Sequence, residues 1–209
     1  ARVLSDEVHA PLVFPGYQHV PYASISDIAA GHTITITSTG KAWNMSGLKC
    51  AQIIFSNKED LSIWDNICFM PEHNVGILGL LATRAAYREG GAWLREVIAY
   101  CDSNRKLLTS LIREHAASVV YCEPQGTYLA WLDFRATGLG DAPAQFLAEL
   151  AGVACEEGSQ FGPDGAGFVR LNLAMPAAIL TEAIARIGRV VTELGGRTNE
   201  APIPYALPS

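Results

Sequence analysis

Lys41 follows the apolar-polar run at residues 33–37 in the segment Ser38-Thr39-Gly40-Lys41, which places it in a loop just beyond a buried strand. A lysine held among apolar neighbours and other cations loses proton affinity, leaving more of the free amine that can attack an aldehyde. A solvated loop lysine is the commoner use of the type, and position alone does not choose between the two. Asp6 closes a short β-rich run in Ser5-Asp6-Glu7-Val8-His9. A carboxylate there can cap the loop or helix that follows. Arg170 lies inside Phe168-Val169-Arg170-Leu171-Asn172-Leu173-Ala174. Its planar guanidinium matches a carboxylate with two parallel hydrogen bonds, although an arginine in an alternating strand is more often a solvated or salt-bridged face residue.

The elements that must position these groups are legible in outline. Short β-rich runs at residues 2–5, 33–37 and 51–55 are separated by loop-forming Gly, Pro, Asn and Ser, and buried strands are expected there. Helical patterning covers residues 58–70 and 74–89 and breaks at Gly90-Gly91. Leu94, Val97, Ile98, Cys101, Leu108, Leu111, Ile112 and His115 then fall on one stripe of a long helix over 93–115. Beyond it we expect strands at 119–122, 127–134 and 167–173, a helix near 143–151, and a last helix starting at Pro176. That helix carries Leu180, Ala183, Ile184, Ile187, Val191 and Leu194 on one face.

Helices and strands alternate up to Glu89, and the later part mixes strands with two or three helices. The expected organisation is an α/β region at 1–91, a small α+β domain at 92–195 entered by the long helix, and a loose tail at 196–209. The opening Ala1-Arg2-Val3-Leu4-Ser5 reads as the interior of a strand, so the chain is expected to be a fragment.

Composition narrows the function classes. Of the 209 residues 49% are hydrophobic and 17% charged, enough to bury a core, and the net charge of -6 without a basic stripe argues against a nucleic-acid partner. Five cysteines without a CxxC pair suggest neither zinc nor a disulfide framework. No apolar run is long enough to span a bilayer, and the expected setting is cytoplasmic with no membrane partner and no metal.

Ser38-x-x-Lys41-Ala-Trp-Asn44-x-x-Gly47-Leu48-Lys49 resembles the cofactor-lysine segment of the class I/II aminotransferases and their lyase relatives. The resemblance implies an aspartate-aminotransferase-like fold, of which this chain would carry the C-terminal part of the large-domain sheet and the small C-terminal domain. It implies pyridoxal 5'-phosphate as cofactor, with Lys41 as the catalytic Schiff-base lysine and Ser38 and Lys49 on the phosphate. Lys49 would act as a point charge where many relatives carry the fork of an arginine. Asp6 would hold the proton on the pyridine nitrogen. His9 would stand beside the phenolic oxygen, where many aminotransferases have tyrosine. Arg170 would clamp the substrate α-carboxylate.

The form Asp6-Glu7-x-His9 is similar to the cystathionine β-lyase and cysteine-S-conjugate β-lyase branch. His19, in Gly16-Tyr17-Gln18-His19-Val20-Pro21, and Gly126-Thr127-Tyr128-Leu129-Ala130-Trp131-Leu132-Asp133 match it too, the latter as a small-domain strand. The implied function is carbon–sulfur β-elimination from cystathionine or cysteine S-conjugates, giving thiol, pyruvate and ammonia. Transamination at the same site and a catalytically incompetent fragment or regulatory module are the competing readings. The resemblance also implies an amino-acid substrate, a homodimer, and a missing N-terminal half that completes the site.

Overall fold

The computed structural model describes residues 1–195, and the expected tail at 196–209 lies outside the described residues. The chain divides into two compact units: residues 1–100 with 125–127, and residues 101–124 with 128 onward.

The first unit is built on a three-stranded sheet of β1 (Val3–Asp6), β2 (Thr33–Thr37) and β3 (Gln52–Phe55) in the order β1-β2-β3. Strand β2 runs parallel to β1, with Val3 opposite Thr33 and Asp6 opposite Ile36, and antiparallel to β3, with Ile34 opposite Phe55. Buried strands were expected here. Only central β2 carries buried residues, Thr33 and Thr35, while Leu4 on β1 and Ile54 on β3 are exposed, because a side chain is buried only where another layer covers its face of the sheet. Helices α1 (Asp27–Ala30) and α2 (Thr39–Ala42) flank β2 in sequence, and α3 (Lys58–Asp65), α4 (Phe69–His73) and α5 (Ile77–Glu89) follow β3.

The helical run expected over 58–70 is two helices. Asn57 caps the first by accepting from the Asp60 N–H at 2.9 Å, and Pro71, which cannot donate, falls in the first turn of the second. The long helix α6 (Gly91–His115) contains the expected apolar stripe, and the division between the units falls inside it, after Tyr100.

The second unit holds β4 (Val120–Tyr121), β5 (Leu129–Asp133), α7 (Pro143–Phe146), β6 (Glu156–Glu157), β7 (Phe168–Asn172) and α8 (Ala177–Gly195). Its antiparallel sheet has the order β4-β5-β7-β6. Alternation along β5 and β7 sends Ala130, Leu132, Val169 and Leu171 into a core completed by Leu108, Leu111 and Ile112 of α6 and Leu180, Ile184, Ile187 and Val191 of α8. The single helix expected at 143–151 is one α-helical turn followed by a π-helical turn, Leu147–Ala151, ended by Gly152 in the left-handed region at φ 63°. Among the described residues no helix is long and apolar enough to cross a membrane, and all five cysteines are free.

Helix α8 can approach the end of α6 because residue 188 lacks a side chain: a Cβ there would lie 2.2 Å from the His115 carbonyl oxygen. The substitution Gly188→Ala should therefore separate the two helices and destabilise the unit by about 1–3 kcal/mol, read as a fall in the calorimetric Tm. An unchanged Tm would contradict this packing.

Candidate functional site

In the first unit the chain leaving β2 turns sharply at Ser38, whose backbone is extended at φ -164° and ψ 151°. The Ser38 hydroxyl oxygen accepts the Gly40 N–H at 2.9 Å, which caps α2, and its proton goes to the Cys50 carbonyl at 2.7 Å. One side chain thus starts the Lys41 turn and pins the return of the loop ahead of β3. Thr39, buried, shares a 3.0 Å hydrogen bond with Thr83 of α5, and the Ser46 hydroxyl donates to the Gly40 carbonyl at 3.0 Å. Trp43 Nε1 donates to the Gly90 carbonyl at 3.0 Å. Lys41 accordingly sits on a capped helical turn rather than in an open loop. Its side chain is exposed.

A cavity of about 380 Å³ opens beside this turn, lined by Val8, Ser38, Lys41, Ser46, Lys49 and Cys50 among others. Lys49 reaches it from a left-handed backbone position, φ 52°. No carboxylate lines the cavity, and neither lysine makes an ion pair among the described residues. Two lysine side chains around an open volume suit an anionic group such as a phosphate ester, while the Ser38 and Ser46 hydroxyl protons already go to backbone carbonyls. The structure therefore brings Ser38, Lys41 and Lys49 together, with Ser38 already committed to Cys50.

Asp6 and His9 are not among the lining residues, although Val8 between them is. Asp6 ends β1 exposed, its carboxylate accepting the Val8 N–H at 3.2 Å. His9 Nδ1 lies 2.9 Å from the Thr127 hydroxyl. Thr127 arrives there because Gln125–Thr127 clamps onto the 12–14 stretch. Phe14 N–H donates to the Gln125 carbonyl at 3.0 Å, Thr127 N–H to the Leu12 carbonyl at 2.6 Å, and Gly126 bridges Val13. A Cβ at Gly126 would lie 2.6 Å from the Leu12 carbonyl, so the clamp needs glycine. The stretch 126–133, expected as one small-domain strand, is thus split, and β5 begins only at Leu129.

Glu7 is the residue that sequence reasoning missed. It faces His19 Nε2 at 2.9 Å, accepts the Tyr22 N–H at 3.0 Å, and receives the Ser5 hydroxyl at 3.0 Å. Burial alone would raise its pKa, but the His19, Tyr22 and Ser5 hydrogen bonds outweigh it and hold the carboxyl below the usual range. The only available signal was two neighbouring acids, one of them without an assigned partner. His19 thereby has a hydrogen-bonded structural position.

In the second unit Arg170 stands on β7 between Trp131 of β5 and Glu156 of β6. Its Nε and Nη2 both contact Glu156 Oε2, and its guanidinium carbon lies 4.3 Å from the centre of the Phe161 ring. No group of three or more metal-ligating side chains occurs among the described residues.

The chain matches the family model described as "Aminotransferase class I and II" over residues 1–187. It is 42% identical over 194 residues to the cystathionine beta-lyase of Corynebacterium glutamicum, covering 91% of this chain and 51% of that protein. It is 34% identical over 189 residues to the cystathionine beta-lyase PatB of Bacillus subtilis, covering 88% and 48%. Cystalysin from Treponema denticola, whose crystal structure contains pyridoxal 5'-phosphate, matches with a TM-score of 0.84 at 31% identity, covering 92% of this chain and 50% of that one. The chain spans about half the length of the curated relatives it matches.

The Glu7 cluster carries a pH signature. A carboxyl whose folded pKa is depressed contributes stability that is complete above its unfolded pKa and is lost as pH falls through the folded value. Glu7→Gln should therefore lower stability by about 1–2 kcal/mol at neutral pH. In thermal melts across pH the gap to the unsubstituted protein should close in acid, and a gap independent of pH would contradict the assignment.

Proposed function

This chain belongs to the class I and II aminotransferase family and carries the C-terminal part of its aspartate-aminotransferase-like fold, and from that premise we propose that the whole protein is a carbon–sulfur β-lyase using pyridoxal 5'-phosphate. The observation that carries the reading is the Lys41 amine, exposed on a capped turn beside a cavity that holds the Lys49 ammonium and no carboxylate. The substrates are L-cystathionine or related cysteine S-conjugates, converted with water to thiol, pyruvate and ammonia.

The cofactor, when bound, supplies an aldehyde for an amine and a ring that stores the charge left at the substrate Cα. Lys41 Nζ would be its covalent anchor and, as a free amine, the base for the substrate Cα proton. Lys49 holds the phosphate as a point charge, and Ser38 can add its hydroxyl only by releasing the Cys50 carbonyl. Asp6 keeps a proton on the pyridine nitrogen. The Thr127 hydroxyl on Nδ1 fixes the His9 ring, and His9 would serve the phenolic oxygen of the bound cofactor. Arg170 would take the α-carboxylate through two parallel hydrogen bonds and so orient the substrate. The protein is a cytoplasmic homodimer in this reading, and the other half of a longer polypeptide completes the pocket. The lyase is favoured over transamination by His9 in the Asp6-Glu7-x-His9 form and by the relatives' names.

Purified full-length protein should release thiol and pyruvate from cystathionine, and Lys41→Ala should lower that rate by at least about 10²–10⁴-fold. Undiminished turnover in the variant would remove Lys41 from the chemistry. A 2-oxo acid accumulating with the aminated cofactor, and no pyruvate, would assign amino transfer instead. Lys49→Ala should weaken cofactor affinity about tenfold in equilibrium dialysis, as expected for one lost charge-assisted contact.

A further inference from the structure

The Arg170 guanidinium is placed by two independent contacts. Phe161 lies against its face, and Phe161 is itself packed edge-on against Trp131, with ring centres 5.8 Å apart and planes at 76°. Trp131 stacks in turn on Phe168 at 5.5 Å and 18°, and Arg135 covers the far side of Phe168 at 4.7 Å. A continuous row of cation, three rings and cation therefore runs over the sheet face, anchored at its far end by the two hydrogen bonds from Arg135 to Asp133, and supports the Arg170 guanidinium through Phe161.

The second contact is Glu156, the cross-strand neighbour of Arg170 on the two-residue strand β6. Its carboxylate meets the guanidinium edge through Oε2 alone, accepting from both Nε and Nη2. A carboxylate bound through both oxygens makes two parallel hydrogen bonds and is the stronger partner. The Glu156 side chain is 53% exposed and that of Arg170 28%, so Glu156 can leave for water at small cost.

Resting on the functional reading above, we propose that Glu156 is a built-in competitor for Arg170: it occupies the carboxylate-recognising edge of the guanidinium in the resting protein, and the substrate α-carboxylate must displace it. Phe161 is the positioning residue that keeps the guanidinium plane fixed through the exchange. The pair acts as a selectivity device. Only a ligand with a free carboxylate can replace Glu156 without stranding the guanidinium, so a carboxyl ester or amide of the same amino acid gains nothing from Arg170. Glu156 also sets apparent affinity, because the fraction of Arg170 that is unpaired multiplies the intrinsic binding constant.

The test uses full-length, cofactor-loaded protein and L-alanine, which carries the α-carboxylate but no leaving group. Removing an exposed ion pair of this type should tighten binding about two- to fivefold. Glu156→Gln should therefore lower the Kd of L-alanine by that factor, and in turnover of cystathionine the change should fall on KM rather than on kcat. Phe161→Leu should act in the opposite direction, raising the Kd by loosening the guanidinium while Glu156 still competes. Circular dichroism and Tm report separately on whether each variant is folded. A Kd for Glu156→Gln that is unchanged, weaker or unmeasurable overturns the competitor role. Absence of thiol release from the unsubstituted protein would overturn the lyase reading alone, because alanine binding through its carboxylate does not depend on a leaving group.

Discussion

The hydroxyl of Ser38 has one proton and is asked to serve two backbone groups, and the candidate site is organised around how it does so. Its oxygen takes the Gly40 N–H and its proton goes to the Cys50 carbonyl. The first contact starts the turn that presents Lys41, and the second brings back the chain that carries Lys49. Thr39 on Thr83 and Ser46 on the Gly40 carbonyl lock the same loop from inside and outside. The lysines are therefore held by backbone geometry, leaving both amines uncommitted among the described residues.

Around this loop the neighbouring parts of the first unit are arranged by equally specific pairings. Glu7 gathers His19, Tyr22 and Ser5, which folds the 7–22 segment back on the end of β1. Gln125–Thr127 reaches the same region to clamp the 12–14 stretch and orient His9. In the second unit the logic differs, since Arg170 is set by a row of aromatic rings over a sheet whose opposite face packs a continuous apolar core. Backbone hydrogen bonds position the amine, and stacking positions the guanidinium.

The sequence disclosed whatever periodicity or motif could encode. The stripe of Leu108, Leu111 and Ile112, the face of α8 and the alternation of β7 follow from local spacing, and the structure contains them. The segment from Ser38 to Lys49 was legible as a unit because its residue types and spacing form a dense pattern. What stayed hidden was nonlocal. Glu7 meeting His19, Thr127 meeting His9 and Glu156 meeting Arg170 join residues that no period relates. The split of residues 58–70 into two helices and of residues 126–133 at Thr127 was marked only by Pro71 and Gly126, single residues whose effect depends on what the chain does next. The exposure of Lys41 and Leu4 was equally unreadable, because alternation states which residues share a face and not whether that face is covered.

The amine on the capped turn, and no other, is the proposed covalent anchor for the cofactor. Full-length protein loaded with pyridoxal 5'-phosphate can be reduced with borohydride, digested, and the pyridoxyl-bearing peptide sequenced by mass spectrometry. The label is expected on Lys41; finding it on Lys49 or on any other lysine in its place would contradict the account.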